Sequence, residues 1–468
     1  MTGKGILLAA PSSGSGKTSA ACALMAAFQA SGYQVRSCKC GPDYIDPMFH
    51  REVLGIGSEN LDLFFSSPEE LKALYEEHSR GADLVVVEGV MGYYDGMSLA
   101  TEKGSSYEVA KTLGLPVILV IPGRGAALSL AATIRGMAEF RKDSQIRGIL
   151  LNRISPMLYP KLKEMLEAEL RKAGHEIPVV GYLPEDPLFH LESRHLGLVT
   201  PQELDGLRER LALAGEKARE TVELERLAEI AGRGMPEEMA EPAVITEKTV
   251  KEEGKVNIGI AQDRAFCFYY KENLRLLERL GCRLIPFSPL EDEKLPEGLD
   301  GLLLGGGYPE LYAGRLSANT SMRESIRQAI LQGMPCIAEC GGFMYLHEEL
   351  TTTGGETFSM AGVIKGATRP VGRLVRFGYI TISPAGEEGT YLKKGETIRG
   401  HEFHYWDSTL AGNSCRAVKP DGVRSWECIH MDGNLFAGYP HLYLPSLPEF
   451  GKRFVEACRR WKGRNLWN

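Results

Sequence analysis

An apolar segment near the N-terminus runs directly into a loop of glycine and serine, and this feature constrains the fold more than any other. Residues 5–10 read GILLAA, residues 11–17 read PSSGSGK, and residues 18–32 are mostly small and apolar. A continuous apolar run predicts a buried strand, and the small apolar residues predict a buried helix. We therefore expect a strand, a tight loop and a helix that belong to a parallel α/β sheet.

The loop has the composition of a phosphate-binding loop. Its glycines let backbone amides turn toward a phosphate, its lysine reaches the outer phosphates, and the threonine hydroxyl after it is a suitable ligand for Mg²⁺. The positive end of the following helix adds to the attraction. Pro11 stands where the usual pattern has its first glycine, so the loop is a variant, and a plain strand-to-helix turn is the alternative. The residues predicted to bind ATP are Gly14, Ser15, Gly16, Lys17 and Thr18.

Apolar strands alternate with segments of helical spacing through the first part of the chain. They include VVVEG at 85–89, PVILVIP at 116–122 and IRGILLN at 146–152. This alternation implies a parallel sheet covered on both faces, with ligands beyond the carboxyl ends of its strands. Polar residues fall at those ends, and we expect them to converge; Asn152 is predicted to contact the nucleotide. They are Lys17, Asp43, Glu88 and Asn152.

Two acidic loops, KCGPDYIDP at 39–47 and EGVMGYYDG at 88–96, bring carboxylates to the same edge of the sheet. Carboxylate oxygens beside a nucleotide are most simply ligands of Mg²⁺, which bridges phosphates to protein. We predict a magnesium site formed by Thr18, Asp43 and Glu88. Asp46 and Asp95 have an alternative role as caps of turns, and that alternative stays open.

The character of the chain changes after residue 200. Residues 201–254 read as a charged helix followed by an acidic and lysine-rich linker, and a fresh alternation of strands and helices begins at VNIGIAQD. We therefore predict a P-loop domain over 1–200, a helix and linker over 201–254, and a second α/β domain over 255–468.

A candidate nucleophile lies in the second domain, within CIAECGGFMYL at 336–346. Cys340 falls between an apolar strand and an apolar helix, a position that exposes a thiol and lowers its pKa through the helix N-terminus. His441 is placed to accept the thiol proton. Gly341 and Gly307, the latter in GGGYPE, are predicted to donate backbone N–H groups to an oxyanion. A buried structural cysteine and a core histidine are the alternatives.

The segment RGHEFHYWD contains three residues of metal-binding type, His401, Glu402 and His404. A further ligand at sensible spacing is missing from the sequence, so we favour substrate contact or a structural role for them.

Composition limits the partners and the compartment. The formal net charge is −7 and no basic block is long enough for a run of phosphates, so we do not expect nucleic acid. The 10 cysteines have irregular spacing and read as reduced thiols. We find neither an export signal nor an apolar run of about 18 residues, so we expect a cytoplasmic protein without membrane contact. The oligomeric state stays open, a homodimer included.

Together these motifs resemble the cobyrinate a,c-diamide synthase family, glutamine-dependent enzymes of cobalamin synthesis, over nearly the whole chain. The first half is similar to the dethiobiotin synthetase group of P-loop enzymes, and the second half is similar to the class I glutaminases of the cobyrinate and cobyric acid synthase branch. The segments that carry the resemblance are PSSGSGKTS, KCGPDYIDP, EGVMGYYDG, ESRHLGL, GGGYPELYA, AECGGFMYL, RFGYITI and RGHEFHYWD.

The resemblance implies a reaction in which ATP phosphorylates a carboxylate of cobyrinate and ammonia from glutamine displaces the phosphate. Two acetate side chains, a and c, become amides. It implies that Cys340 is the glutaminase nucleophile and that His441 raises its nucleophilicity. It also implies catalytic roles for Asp46 and Asp95 and substrate contacts for Lys39, Asp43 and Tyr44, with Glu88 at the Mg²⁺.

Several departures from the family pattern concern the substrate and the triad. After His441 come Leu442 and Tyr443, and no glutamate follows at the third-member position of other class I glutaminases. Tyr107 stands where a smaller residue is common, and VIPGRGAALSL lacks an expected aspartate. Nickel-sirohydrochlorin a,c-diamide synthase is the alternative within the class. A P-loop nucleotide switch is a distant one, because it has no use for Cys340 and His441.

Overall fold

The structure is a computed structural model that describes residues 4–190, 193–194, 197–198, 206–233, 255–386 and 389–465. The chain divides into two compact units, Met1–Val244 and Ile245–Asn468. Residues 234–254 of the predicted linker lie outside the described residues, as do Glu192, His195 and Leu196 of the segment ESRHLGL.

A parallel sheet forms the centre of the first unit. The strands of this unit are β1 (Lys4–Ala9), β2 (Val35–Cys40), β3 (Ser58–Leu61), β4 (Leu84–Glu88), β5 (Val117–Pro122), β6 (Ile146–Asn152), β7 (Val179–Leu183), β8 (Ser193–Arg194) and β9 (Gly197–Leu198). The sheet has the order β3-β2-β4-β1-β5-β6-β7, and all its neighbouring pairs are parallel. Strands β1, β4, β5 and β6 are largely apolar because both faces of the sheet are covered, whereas β2 and β3 include polar residues.

Helices cover the sheet of the first unit. They are α1 (Lys17–Ala30), α2 (Ile45–Met48), α3 (Pro68–Ser79), α4 (Ser106–Leu113), α5 (Leu128–Glu139), α6 (Tyr159–Lys172), α7 (Leu207–Thr221) and α8 (Leu224–Ala231). A π-helical turn, Phe49–Val53, continues α2, and a 3₁₀ turn spans Pro187–Phe189. Helix α7, from the segment predicted as a connector, packs closely on α1, because a Cβ added at Gly215 would lie 2.6 Å from Cβ of Ala26.

Three sheets form the second unit. Its strands are β10 (Val256–Ala261), β11 (Cys282–Phe287), β12 (Gly301–Leu304), β13 (Cys336–Glu339), β14 (His347–Thr351), β15 (Thr357–Ser359), β16 (Ile364–Pro370), β17 (Arg376–Pro384), β18 (Ile398–His404), β19 (Trp406–Ser408), β20 (Cys415–Val418), β21 (Ser425–Cys428), β22 (His430–Asp432), β23 (Leu435–Gly438) and β24 (His441–Leu442). The central sheet has the order β11-β10-β12-β13-β23-β22 and is parallel except at β22. The others are β15-β14-β16-β19 and β21-β20-β17-β18-β24.

The helices of the second unit flank its central sheet. They are α9 (Lys271–Arg279), α10 (Ala313–Ala318), α11 (Thr320–Leu331), α12 (Gly341–Leu346) and α13 (Pro448–Asn465), with 3₁₀ turns at Pro309–Leu311 and Leu444–Ser446. The predicted class, two successive α/β units with parallel sheets, is confirmed. Within the described residues, none of the helices combines the length and the apolar content that a membrane crossing requires.

Candidate active sites

The glycine and serine loop adopts a conformation that depends on two of its glycines. Gly14 and Gly16 have φ of 77° and 90°, in the left-handed region that other residues rarely adopt. A Cβ at position 16 would also lie 2.2 Å from Nδ2 of Asn152. That amide donates a hydrogen bond of 2.8 Å to the carbonyl of Ser15, so the end of β6 holds the loop from behind.

Lys17 is buried at the start of α1 and points back over the loop. Its ammonium donates to the carbonyls of Ser12, at 3.2 Å, and of Met91, at 2.5 Å. Burial, and then the nearby Lys39 ammonium, lower the pKa of Lys17 to about 8. A phosphate placed beside Lys17 would favour its charged form and raise this pKa again.

One ammonium lies between two buried carboxylates behind the loop. Nζ of Lys39, at the end of β2, is 2.5 Å from Oδ2 of Asp46 and 2.8 Å from Oε1 of Glu88. The hydroxyl of Thr18 donates to the same oxygen of Glu88 at 2.6 Å and lies 3.5 Å from Oδ2 of Asp46. The strand ends therefore bring the predicted residues Thr18, Lys39, Asp46 and Glu88 together.

The second oxygen of Glu88 faces an imidazole that sequence reasoning missed. Nε2 of His50 lies 3.4 Å from Oε2 of Glu88, and its Nδ1 contacts the hydroxyls of Ser37 and Ser58 at 3.0 and 3.1 Å. Against the effect of burial, Lys39 and then His50 hold the pKa of Glu88 below its usual range. Burial and the charge of Glu88 raise the pKa of Asp46.

Asp43 and Asp95 both cap backbone turns. Oδ1 of Asp43 accepts from the amides of Ile45, at 2.7 Å, and Asp46, at 3.2 Å. Oδ2 of Asp95 accepts from the amide of Gly92 at 2.9 Å. The capping alternative thus describes Asp95 but not Asp46, and Asp46 rather than Asp43 contacts Thr18. The magnesium role of Asp43 and the substrate role of Tyr44, which is half-buried beside it, stay predictions.

The oxygen atoms around Thr18 fit Mg²⁺. A hydroxyl and two carboxylates are hard donors of the kind that Mg²⁺ binds together with phosphate oxygens and water. Thr18, Asp46 and Glu88 provide them. The described residues contain no group of three or more His, Cys, Asp and Glu side chains at metal-binding distances.

In the second unit, Cys340 occupies a strained turn between β13 and α12. Its φ of 48° and ψ of −105° are unusual for a residue with a side chain, at a cost of about 1–3 kcal/mol. The turn is held because the amide of Cys340 donates to the carbonyl of Gly438 at 2.8 Å. A Cβ at position 342 would lie 2.1 Å from the carbonyl oxygen of Leu304, so glycine is required there.

The prediction that the helix N-terminus lowers the pKa of Cys340 is wrong. Burial raises the pKa of this thiol well above its ordinary value, and the Glu310 carboxylate raises it further, while the amide of Gly341 opposes them. Helix α12 has only 6 residues, so its dipole is weak compared with the loss of water. The thiol therefore needs a base.

Gly307 and Gly341, the predicted oxyanion residues, lie side by side. A Cβ at Gly341 would be 3.0 Å from the backbone nitrogen of Gly307. The amide of the next residue, Gly342, donates to the carbonyl of Gly305 at 2.9 Å and fixes the two turns together. The two residues thus lie close together beside Cys340, and their role as oxyanion donors stays a prediction.

His441 packs against the same glycine turn. A Cβ at Gly306 would lie 2.4 Å from Cε1 of the imidazole, so the ring occupies the space that a side chain would need. Burial, and then His404, lower the pKa of His441 to about 3. At physiological pH the imidazole is neutral and able to accept a proton.

The residue before the nucleophile reaches the histidine, which sequence reasoning did not anticipate. Oε2 of Glu339 lies 3.9 Å from Nδ1 of His441, and its Oε1 accepts from the amide of Leu442 at 3.2 Å. Burial raises the pKa of Glu339 to about 8, although the Leu442 amide opposes the shift. The strand pattern of CIAEC gives no sign of this contact, because Glu339 and His441 are far apart in sequence.

Comparison with known proteins decides the family. Residues 6–199 match the CobQ/CobB/MinD/ParA nucleotide binding domain, and residues 257–447 match the CobB/CobQ-like glutamine amidotransferase domain. The cobyrinate a,c-diamide synthase of Caldanaerobacter subterraneus subsp. tengcongensis is 41% identical over 97% of this chain and 98% of its own length. Proteins of the same name from Listeria monocytogenes and Priestia megaterium are 39% and 35% identical, over 94% and 99% of this chain and 96% and 98% of theirs.

The chain belongs to the cobyrinate a,c-diamide synthase family. It is therefore a glutamine-dependent amidating ligase with an ATP-binding domain. The resemblance seen in the motifs is confirmed. So is the class of its two domains, a P-loop unit followed by a glutaminase unit.

This member of the cobyrinate a,c-diamide synthase family has a second buried acid beside the glutaminase turn. Oε2 of Glu402 lies 3.6 Å from Nε2 of His404, and Oε1 accepts from the indole N–H of Trp426 at 3.3 Å. The ring of His404 stacks on Tyr439 at 3.9 Å between centroids. The ring of His401 lies near that of His441, with 6.5 Å between the two centroids.

Proposed function

We propose that the chain amidates the a- and c-acetate carboxylates of cobyrinate, with ATP and glutamine as co-substrates, and releases ADP, phosphate and glutamate. The observation that carries the proposal is the presence in one chain of two unlike sites. The first unit has a phosphate loop backed by carboxylates around Thr18, and the second has a thiol on a strained turn beside a neutral imidazole. Relatives that bear the name cobyrinate a,c-diamide synthase align with both.

The carboxylate is activated as an acyl phosphate. A carboxylate oxygen attacks the γ-phosphorus of ATP and the bond to ADP breaks; ammonia then attacks the acyl carbon, loses a proton and expels phosphate. Because a free carboxylate is a poor acyl donor, phosphoryl transfer supplies the leaving group. Catalysis at this site consists mainly of holding the reactants and balancing charge.

The first unit binds ATP through its phosphate loop, which includes Lys17 and is supported by Asn152. Lys17 neutralises the outer phosphates, and Asn152 keeps the loop in shape through its bond to Ser15. Thr18, Glu88 and Asp46 would hold Mg²⁺, which when bound would offset the negative charge of the phosphates. Lys39, which pairs with Asp46 and Glu88, would meet an anionic substrate once Mg²⁺ took over one of these carboxylates. Asp43, Tyr44 and Asp95 lie on the adjacent loops.

The second unit releases ammonia from glutamine. The sulfur of Cys340 attacks the side-chain amide carbon, its proton passes to His441, and the amide oxygen becomes an oxyanion beside the amides of Gly307 and Gly341. His441 returns the proton to the leaving nitrogen. Water then hydrolyses the thioester to glutamate.

Mass spectrometry of the products tests the proposal. Purified protein is incubated with ATP, Mg²⁺ and glutamine, and cobyrinic acid and nickel-sirohydrochlorin are offered separately. We expect a diamide from cobyrinic acid, with one glutamate released for each amide. A diamide from nickel-sirohydrochlorin and none from cobyrinic acid would show that nickel-sirohydrochlorin is the substrate. The absence of amidation with both compounds would overturn the proposal.

The acyl phosphate has its own test. When the acetate carboxylates carry ¹⁸O, each amide formed should leave one ¹⁸O atom in the released phosphate, because the carboxylate oxygen departs with phosphorus. Phosphate without label would exclude this intermediate.

A further inference from the structure

We propose that Glu339 positions His441 and so acts as the third member of the glutaminase triad; this inference rests on the proposed function. The position after His441 that usually supplies such a carboxylate holds Tyr443 instead. Here the carboxylate comes from the residue directly before the nucleophile. The strand β13 thus delivers both Cys340 and the group that orients its base.

Two contacts of the Glu339 carboxylate carry the proposal. Oε2 lies 3.9 Å from Nδ1 of His441, and Oε1 is held at 3.2 Å by the amide of Leu442, the next residue in the chain. The carboxylate therefore spans the backbone and the ring of the same short strand. A distance of 3.9 Å is longer than a hydrogen bond, and catalytic hydrogen bonds often shorten only once substrate is bound.

The resting charges agree with such a role. Burial favours the neutral forms of Glu339 and His441, with pKa values of about 8 and about 3. When Glu339 is ionised, Nδ1–H of His441 donates to its carboxylate, and this pairing favours the imidazolium that forms as Nε2 takes the thiol proton. The other titratable groups around His441 are His401 and His404, both on β18. The carboxylates that act on the Cys340 thiol are those of Glu310, Glu402 and Glu339.

Glu339→Gln tests the role, because glutamine keeps the acceptor for the Leu442 amide and loses the charge. We expect kcat for glutamate release to fall by about 10- to 100-fold with little change in KM for glutamine, and ammonia-dependent amidation to stay at the wild-type rate. The apparent pKa for alkylation of Cys340 by iodoacetamide should rise, which a structural defect alone would not cause. In Glu339→Asp the carboxylate is one methylene further from the ring, so its kcat for glutamate release should fall between those of the wild type and Glu339→Gln.

Glu396→Gln is the matched control, since it removes a carboxylate paired with Arg453 in the same unit. Glutaminase activity of Glu339→Gln within twofold of this control, or an unshifted alkylation profile, would overturn the role of Glu339. If the wild-type protein itself releases no glutamate, the proposed function fails instead. Ammonia-dependent amidation reports the folding of each variant.

A group of buried polar atoms lies near the glutaminase turn. Oε2 of Glu402, Nε2 of His404 and the hydroxyl of Tyr439 are buried and have no hydrogen-bond partner among the described residues. Nδ1 of His404 lies 2.6 Å from the carbonyl of Trp406 and must donate to it, so a ring that carries a single N–H presents Nε2 as an acceptor. Nε2 of His404 and Oε2 of Glu402 lie 3.6 Å apart, which is longer than a hydrogen bond.

We infer that Glu402 and His404 receive the α-ammonium group of the substrate glutamine. Buried acceptors without donors are costly, and an ammonium group satisfies both while balancing the carboxylate. The pair lies beside the nucleophile: Tyr439, which stacks on His404, follows Gly438, and the carbonyl of Gly438 accepts from the amide of Cys340. The Glu402 carboxylate is also close enough to raise the pKa of the thiol.

Glutaramate, which is glutamine without its α-amino group, provides a direct test. The wild-type protein should prefer glutamine to glutaramate in kcat/KM by about 100-fold, as expected when a buried polar group loses its partner. Glu402→Gln should reduce this preference at least tenfold by lowering the value for glutamine, not for glutaramate. His404→Gln should act in the same direction.

The control is Glu427→Gln, which changes an exposed glutamate on strand β21 of the same sheet. An unchanged preference in a Glu402→Gln protein that still amidates with free ammonia would overturn the assignment, and a water molecule would then be the occupant of the pair. Wild-type protein that hydrolyses neither compound would count against the proposed function instead.

Discussion

The two units of the molecule bury ionisable groups in opposite ways. Behind the phosphate loop, Lys39 lies between Asp46 and Glu88, so the cluster keeps its charges: the pKa of Glu88 is lowered and, despite burial, Asp46 raises that of Lys39. In the glutaminase unit, burial drives the groups to their neutral forms, with Glu339 at a pKa of about 8 and His441 at about 3. The difference follows because, among the described residues, a buried lysine lies between the carboxylates of the first cluster, whereas Glu339 and His441 have no such cation beside them.

That difference matches two kinds of chemistry. Phosphoryl transfer is accelerated by charges that are fixed before the reaction starts. Amide hydrolysis at a thiol moves a proton from sulfur to nitrogen and back, which requires groups that change protonation state. Each unit is therefore expected to depend on its own kind of group.

The largest effect is expected from Cys340→Ala. Without the sulfur, glutamine-dependent amidation and glutamate release should fall to background, while amidation from ammonium salts continues, because free ammonia replaces the product of the glutaminase unit. Cys458→Ala, at a buried structural thiol, is the control. Loss of both activities in Cys340→Ala would show that the two units do not divide the work as proposed.

Glu88→Gln removes one of the two carboxylates that pair with Lys39. We expect amidation to fall by about 100-fold or more with either nitrogen source, because one Mg²⁺ ligand and the partner of Thr18 and Lys39 are lost together. Glutamate release in the absence of a tetrapyrrole should persist. Normal amidation by this variant would exclude Glu88 from the phosphoryl site.

Lys39→Met removes the cation from the charged cluster. Breaking a buried ion pair leaves uncompensated carboxylates, and we expect unfolding at pH 8 to cost about 3–5 kcal/mol less than in the wild type. With Lys39, the stabilisation from Glu88 is present above its unfolded pKa and is lost as pH falls, since its folded pKa is depressed. Without Lys39, burial raises the folded pKa, so stability is lost as pH rises.

Urea unfolding at pH 5 and pH 8 measures this prediction. The gap between wild type and Lys39→Met should shrink at pH 5, whereas the exposed Lys72→Met should match the wild type at both values. A gap that is independent of pH would mean that Lys39 contributes packing and not charge.

The parts that could be predicted from sequence are those written in local patterns. Apolar strands indicated the parallel sheets, and PSSGSGKT indicated the phosphate loop with Asn152 at a neighbouring strand end. The contacts of Glu339 and His50 could not be predicted, because each joins elements that are distant in sequence. The pKa of Cys340 was missed because a turn motif does not reveal how completely the thiol is buried.

The smallest effect is expected from Asn152→Ala, which removes one support of the loop and no charge. The lost hydrogen bond to the Ser15 carbonyl is worth about 1 kcal/mol, so KM for ATP should rise about fivefold with little change in kcat. Gly16→Ala should be far worse, because its Cβ meets the Asn152 amide and its φ of 90° is strained for alanine. Combining the two changes should restore only part of the loss, since truncating Asn152 removes the clash but leaves the strain. Full restoration in the double variant, measured as kcat/KM for ATP, would show that the clash alone dictates glycine at this position.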